Sequence, residues 1–439
     1  MIPAIVVFLI TYALMLSFQE YRPWIALGSA AVMLLLSTFG AFDLSLVDAL
    51  RAVDYNVLLM IASTMGTVAL FIDSRMPARL AEQIMTMVPN VKWAVAALSL
   101  FAGIISAFVD NVATVLMVAP VGLAISRRLK ISPVPVLIAI AVSSNLQGAA
   151  TLVGDTTSIL LGGFADMNFM DFFWMHGKPG IFWGVELGAV ASLFVLFVLF
   201  RREKEKVDVE IETEVEDYFP SWMMIATVVL LIIVSFLPRP DGGVLLTVYE
   251  MRSGLSCMLL CIIGTVRSCV RAHSAAPFRL VLKEMDKETL LLLFGLFIVI
   301  EGIKAAGVID AAAKLFYRLA GSNEFMLYTL IVVVSVILSA FIDNIPYVAT
   351  MLPVVQSIAG LMNGGAGCEP YVFYFGLLTG ATLGGNLTPI GASANISAIG
   401  ILRKNGEKVT TGDFMRIGVP FTLVAVLSGY IFIWLVWGM

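Results

Sequence analysis

Apolar runs of about twenty residues, long enough to cross a bilayer, recur along this 439-residue chain. They lie near 2–18, 23–40, 54–73, 133–165, 180–200, 220–237, 244–266, 288–303, 370–402 and 416–437. Backbone in lipid has no water to bond, so runs of this kind fold as helices. Composition points the same way: 60% of residues are hydrophobic, 13% are charged, and the mean hydropathy is +0.97, whereas a soluble chain is about a quarter charged. The expected class is therefore an all-α polytopic membrane protein. Its longest polar stretch, about 201–219, is too short to bury a core of its own. The apolar N-terminus has no basic n-region and no small-residue cleavage site, so it reads as a retained first helix. Four cysteines (Cys257, Cys261, Cys269, Cys368) form no CxxC spacing and no disulfide framework.

Two short phrases nearly repeat each other: Phe108-Val109-Asp110-Asn111-Val112 and Phe341-Ile342-Asp343-Asn344-Ile345. Each puts an acid and an amide into an apolar stretch, and each is followed by a proline, Pro120 or Pro353. A charge at membrane depth is costly, so two copies in matching places read as a site built from an internal repeat. The segments 91–127 and 325–362 then read as two re-entrant hairpins with the Asp-Asn pairs at their tips, and with Thr114 one turn beyond the first. Asp and Asn also favour ordinary turns, but the recurrence and the lack of flanking polar residues weigh against that.

Further on, the long runs 133–165 and 370–402 carry Gly/Thr-rich interruptions, Gly148 to Asp155 and Gly385 to Ala392. These runs are too long for one straight helix and are expected to be discontinuous. Thr151, Gly154, Asp155 and Ser158 in the first break, and Thr388, Gly391, Ser393 and Asn395 in the second, offer hydroxyls, amides and flexible backbone. A helix restarting at such a break turns its positive end toward a cavity, which suits an anion or oxyanion. Close helix packing is the competing explanation for the glycines. The second copy has Ala392 where the first has Asp155, so the two are not chemically equivalent.

Taking alternate loops to alternate sides, twenty of the 27 Lys and Arg fall on the side opposite the N-terminus. Arg22 is among them. The positive-inside rule makes that side cytoplasmic and puts both termini outside. The resulting layout is an inverted-topology repeat of five spans plus a hairpin, 1–200 and 220–439, joined by the cytoplasmic linker 201–219. The linker mixes acidic and basic residues and reads as a solvated connector.

Other charges and thiols carry less. Glu301 and Lys304 sit three apart on one helix face and are expected to pair, with Glu301 as a candidate coupling residue. Glu186, Glu250 and Arg252 read as interfacial or packing charges. Cys257 and Cys261 share a helix face and read as small hydrophobes rather than soft-metal ligands. His176 and His273 fall in loops. There is no Walker loop, zinc motif or nucleophile elbow, which leaves ATP-driven transport and enzyme chemistry without support and gives no reason to expect a nucleic-acid partner.

At these residues the chain resembles the arsenical-pump and sodium–proton-antiporter permeases of the ion transporter superfamily, the branch that includes the melanosomal P protein. The resemblance runs from about residue 54 onward. It rests on Phe108–Pro120, Asn145–Ser158, Phe341–Pro353 and the phrase Leu383-Gly-Gly-Asn386-Leu-Thr388-Pro-Ile-Gly391-Ala-Ser393-Ala-Asn395. It implies substrate and ion contacts at Asp110, Asn111, Asp343 and Asn344, and at the breaks Thr151–Ser158 and Thr388–Asn395. It also implies a scaffold and a moving transport domain with elevator-like alternating access, in relatives that are often homodimers. One departure is plain: the family's first break usually reads Gly-Asp-Pro-Pro-Asn, whereas here it is Gly154-Asp155-Thr156-Thr157-Ser158. The Ser-Asn-Thr tips of the superfamily's dicarboxylate branch are absent too.

The expected function is secondary active transport of a small inorganic anion or weak acid, arsenite-like, coupled to H⁺ or Na⁺ and needing no cofactor. Asp110, Asp155 and Asp343 would carry the coupling ion. A Na⁺/H⁺ antiporter without anionic cargo is the close alternative, and a carboxylate transporter of the same superfamily is another.

Overall fold

The computed structural model describes residues 1–128, 131–203, 205–207, 211–362 and 370–438. Lys130, Lys204, Asp208, Glu210 and Cys368, all part of the sequence reading, lie outside them. The described residues are mostly helical. In its first part α1 (Ile2–Ser17) and α2 (Arg22–Thr38) form a hairpin, and a short α3 (Leu46–Arg51) leads into α4 (Tyr55–Asp73) and α5 (Met76–Thr86). Next come two arms, α6 (Val91–Ser106) and α7 (Asn111–Arg128), then α8 (Pro133–Gly148), α9 (Thr156–Phe164) and α10 (Ile181–Leu199). A two-residue β-ribbon, Trp174–Met175 against Lys178–Pro179, precedes α10.

The second part begins with α11 (Phe219–Ser235), α12 (Gly243–Glu250), α13 (Arg252–Ala272) and α14 (Ala276–Glu284). It continues with α15 (Lys287–Ala305) and α16 (Val308–Ala320), bent from each other by 71°. Two arms follow, α17 (Glu324–Ser339) and α18 (Asn344–Met362), then α19 (Tyr371–Gly384), α20 (Ser393–Lys404) and α21 (Thr411–Trp437). Among the described residues five helices are long and apolar enough to cross a membrane, and five more apolar helices are somewhat shorter. This is a multi-pass membrane protein.

Both long runs divide at their Gly/Thr interruptions, α8 from α9 and α19 from α20. One expected span is corrected: the run 244–266 is two helices, α12 and α13, meeting at Met251. Polar residues at the starts of apolar helices have a local cause. Asp54, Asn90, Asp286 and Asn323 each accept a backbone N–H of the first turn, and Thr410 with Asp413 forms a reciprocal capping box. These caps satisfy donors that the helix itself leaves unpaired.

α8 and α19 are buried nearly end to end and form the centre of the molecule. On α19, Gly376, Gly380 and Gly384 recur every fourth residue and press against α17. A Cβ on Gly380 or Gly384 would lie 2.7 Å from Ser335 Cβ or Val336 Cα. Small residues at this spacing let two membrane helices approach closely.

The described residues of the linker are tied down at several points. Glu203 and Glu205 carbonyls accept the N–H groups of Lys92 (3.2 Å) and Val91 (3.0 Å). Glu82 accepts from the backbone of Glu212 and Thr213, and Arg79 donates to the Thr213 carbonyl at 2.9 Å. Asp217 pairs with Arg267 and with Arg271. Burial works to raise the Asp217 carboxyl, but the Phe219 N–H and the two guanidiniums outweigh it and hold the group below its usual range. Its contribution is therefore present above the ordinary carboxylate pKa and is lost as the pH falls through the lowered value. Asp217→Asn is expected to speed protease cleavage within 211–219 by about two- to fivefold, the range for a partly exposed ion pair. Limited proteolysis of detergent-solubilised protein at neutral pH measures this.

Candidate functional site

The two Asp-Asn phrases are helix starts. Asp110 Oδ1 accepts the N–H groups of Val112 (2.9 Å) and Ala113 (3.2 Å) and caps α7. Asp343 Oδ1 accepts the Ile345 N–H (3.1 Å) and caps α18. In both cases the carboxylate sits where the helix dipole is positive, and each keeps a second oxygen for other use.

The two breaks are built alike. The Thr151 hydroxyl donates to the Ala107 carbonyl at the first tip, and Thr388 donates to the Ala340 carbonyl at the second. Ser158 Oγ reaches the Gly148 carbonyl at 3.5 Å, and Asn395 Nδ2 reaches the Gly385 carbonyl at 3.1 Å. Gly154 and Gly391 lie directly against the carbonyls of the hairpin tips. Carbonyls freed at a break need donors when no water is at hand, and these side chains supply them.

Asn145 and Asn386 tie the two breaks together. Asn145 Nδ2 donates to the Thr382 carbonyl (2.7 Å) and to Asn386 Oδ1 (3.1 Å), while Asn386 Nδ2 donates to the Val142 carbonyl (2.9 Å). Asn111 Nδ2 donates to Asn145 Oδ1 at 2.9 Å. Both asparagines are fully buried.

A cavity of about 260 Å³ opens where these ends meet. Asp110 and Asn111 line it from the first tip, Asp155 and Thr156 from the first break, Asn344 from the second tip and Ser393 from the second break. The N-termini of α7, α9, α18 and α20 thus converge on one space. Met65, Val68 and Ile72 of α4 give it an apolar wall, and Glu284, Asp286 and Thr289 at the α14–α15 junction close another side. No Lys, Arg or His is among the described lining residues.

The carboxylates differ in what holds them. Among the described residues Asp110 Oδ2 accepts no hydrogen bond. Asp155 Oδ2 accepts the Thr157 hydroxyl at 2.8 Å and Asn344 Nδ2 at 3.4 Å, which bridges the first break to the second tip. Asp343 is not among the lining residues and is held in an ion pair with Arg22, 2.8 Å from Nη1 to Oδ2.

Several sequence expectations are revised by position. Asp110, Asn111, Asp155, Asn344 and Ser393 line the cavity, and Gly154 lines a small recess beside it. Thr114, Asn145, Thr151, Ser158, Asn386, Thr388, Gly391 and Asn395 do not; they fasten tips, breaks and central helices to one another. Asp343 does not line the cavity either. Glu301 pairs with Lys304 at 3.0 Å, as its spacing predicts, and does not line the cavity. Arg22, counted in the sequence as a loop cation, is half-buried and paired with Asp343. Asp286, Glu284 and Thr289 were not singled out at all. An Asp-x-x-Thr cap at the start of the run 288–303 was the available signal for Asp286. Among the described residues no group of three or more His, Cys, Asp or Glu is placed to hold a metal ion.

Comparison with known proteins is consistent across sequence and structure. A protein-family profile described as "Citrate transporter" matches residues 7–373 and, in a second match, 244–438. An uncharacterized transporter of Mycobacterium tuberculosis (strain H37Rv) is 31% identical over 98% of both chains. The human P protein is 26% identical over 95% of this chain and 58% of its own length. Among solved structures, the Alcanivorax borkumensis YdaH transporter superposes with a TM-score of 0.61 over 95% of this chain and 97% of that one, at 14% identity. Neisseria gonorrhoeae MtrF superposes with a TM-score of 0.60 over 92% and 84%, also at 14% identity. These structures share the fold.

Proposed function

Because the chain belongs to the citrate transporter family of the ion transporter superfamily, and so is a membrane transport protein and not an enzyme, we propose that it is a cation-coupled secondary transporter of a small oxygen-bearing anion or weak acid. The observation that carries this is the make-up of the cavity: four helix N-termini and four carboxylates (Asp110, Asp155, Glu284 and Asp286) around one space, with no basic side chain among the described lining. The N-termini attract oxygen atoms that bear negative charge. Asp110 and Asp155 repel an anion unless a cation or proton sits between. An anion therefore enters with H⁺ or Na⁺, or as a neutral acid, and the cation is bound at Asp110 and Asp155.

The mismatch at Asp155/Ala392 supports a division of labour. Three of the four N-termini carry an Asp at the capping position, whereas α20 starts after Ala392, which brings no carboxylate; neither α9 nor α20 has a side-chain cap hydrogen bond. The uncharged start of α20, beside Ser393, suits the cargo. The family description favours a carboxylate cargo such as citrate. The lack of the dicarboxylate branch's Ser-Asn-Thr tips keeps an arsenite-like acid in the comparison.

The cavity adjoins the C-terminal part of α4 and the α14–α15 junction, the ends that charge counting assigns to the cytoplasm. The proposal therefore includes an inward-facing site in an inverted-repeat, elevator-type carrier. Purified protein in liposomes with an internal pH dye and an imposed sodium gradient tests the core of it. Citrate, succinate, arsenite and silicate are offered in turn. Ion movement that depends on one of them is expected; sodium-driven proton movement with no anion present would sink the reading in favour of a Na⁺/H⁺ antiporter.

A further inference from the structure

We propose that Arg22 is a built-in counter-ion for Asp343, occupying the second hairpin's acid so that, of the tip and break acids, Asp110 and Asp155 are left to carry the cation load. This rests on the cation-coupled reading above and deepens it by removing one of the three acids from the ion site.

The two tips correspond residue for residue, yet their acids meet opposite surroundings. Asp110 keeps Oδ2 open and shares the cavity with Asp155 and Asp286. Asp343 spends Oδ1 on capping α18, while its Oδ2 accepts from Arg22 at 2.8 Å and from Ser393 Oγ at 3.4 Å. The two side chains of the pair are only 14% and 7% exposed. A guanidinium does not lose its proton in a protein, so Asp343 is neutralised without any transported cation.

Arg22 is also held in place from the other side. Its Nε donates to the Met15 carbonyl in the last turn of α1 at 3.3 Å. About one turn earlier on α1, Tyr12 donates its hydroxyl to the Pro346 carbonyl (2.7 Å) and meets Thr350 Oγ1 (2.5 Å). α1 and the start of α2 thus grip the first turns of α18, and Arg22 is the charged member of that grip. Asp110 has no such cation: no Lys, Arg or His is among the described residues lining its cavity.

The role is one of charge and position, so its test needs more than lost stability. Thermal unfolding of the purified full chain is followed while titrating sodium chloride at fixed alkaline pH, and again while titrating acid without sodium. Arg22→Gln should show an added cation-dependent step that the unaltered protein lacks, because it frees the Asp343 carboxylate. Arg22→Gln with Asp343→Asn should lose that step and recover most of the stability lost by either single variant. Arg22→Lys should behave like the unaltered chain in both titrations. In transport, each single neutralisation should lower flux, with the double variant recovering most of it.

An Arg22→Gln protein whose cation response matches the unaltered chain would overturn the proposal, as would a double variant less stable than either single one. Cation-independent flux in the unaltered protein would instead defeat the coupling reading, and the stability comparison would still decide the pairing.

Discussion

Asp110→Asn is expected to lower cation-coupled flux about ten- to a hundredfold while leaving the fold intact. The separation of the two effects follows from how Asp110 is used. Its Oδ1 caps α7 through Val112 and Ala113, and an asparagine carbonyl caps a helix about as well as a carboxylate. What the substitution removes is the charge facing the cavity. A contact between a charged group and its partner is worth about 1.5–3 kcal/mol, and about 1.4 kcal/mol corresponds to tenfold in an equilibrium. Counterflow in liposomes, with thermal unfolding as the control for folding, measures both parts. Flux unchanged by the substitution would move the coupling site away from the first tip.

Gly391→Ala is expected to cost more, and through the fold. A Cβ there would lie 2.5 Å from the Gly385 carbonyl oxygen and 2.9 Å from those of Ala340 and Ser339. Gly154 meets the same arrangement in the first break, 2.6 Å from the Gly148 and Ser106 carbonyl oxygens and 2.8 Å from that of Ala107. All six atoms are backbone, so no side chain can rotate aside, and the hairpin tip has to move with them. Overpacking at such a contact costs about 1–3 kcal/mol or more. The expected readout is a sharp fall in folded yield and melting temperature for either variant. Gly400→Ala on α20 is the control, since a Cβ there meets nothing within 4 Å. It should be neutral or slightly stabilising. Equal behaviour of all three variants would show that the breaks do not press on the tips.

The positions of the tips and breaks were legible because each announces itself locally. Asp110 and Asp343 stand in apolar stretches, and Thr151, Gly154, Thr388 and Gly391 interrupt runs too long for one helix. The division of 244–266 into α12 and α13 falls where Glu250, Arg252, Ser253 and Gly254 interrupt the run, a local signal that the apolar residues on either side outweigh when the run is read as one span. Ser158 and Asn395 read in the sequence as substrate or ion contacts. They resemble ligands in the sequence because the same donors that bind an oxyanion also satisfy a broken helix's own carbonyls.

The sequence by itself determines that this chain lies in a membrane, where its helices break, and that two acid-bearing hairpins recur. These follow from a cost paid residue by residue, that of placing polar groups in hydrocarbon. Only the tertiary structure decides which acids stay open. Asp110 and Asp343 read alike along the chain, but Arg22 lies 321 residues from Asp343 in sequence and 2.8 Å from it in space. Asp286 likewise reaches the cavity of Asp110 from across the molecule. A carboxylate's availability is set by the charges around it, and those neighbours are chosen by packing between distant helices.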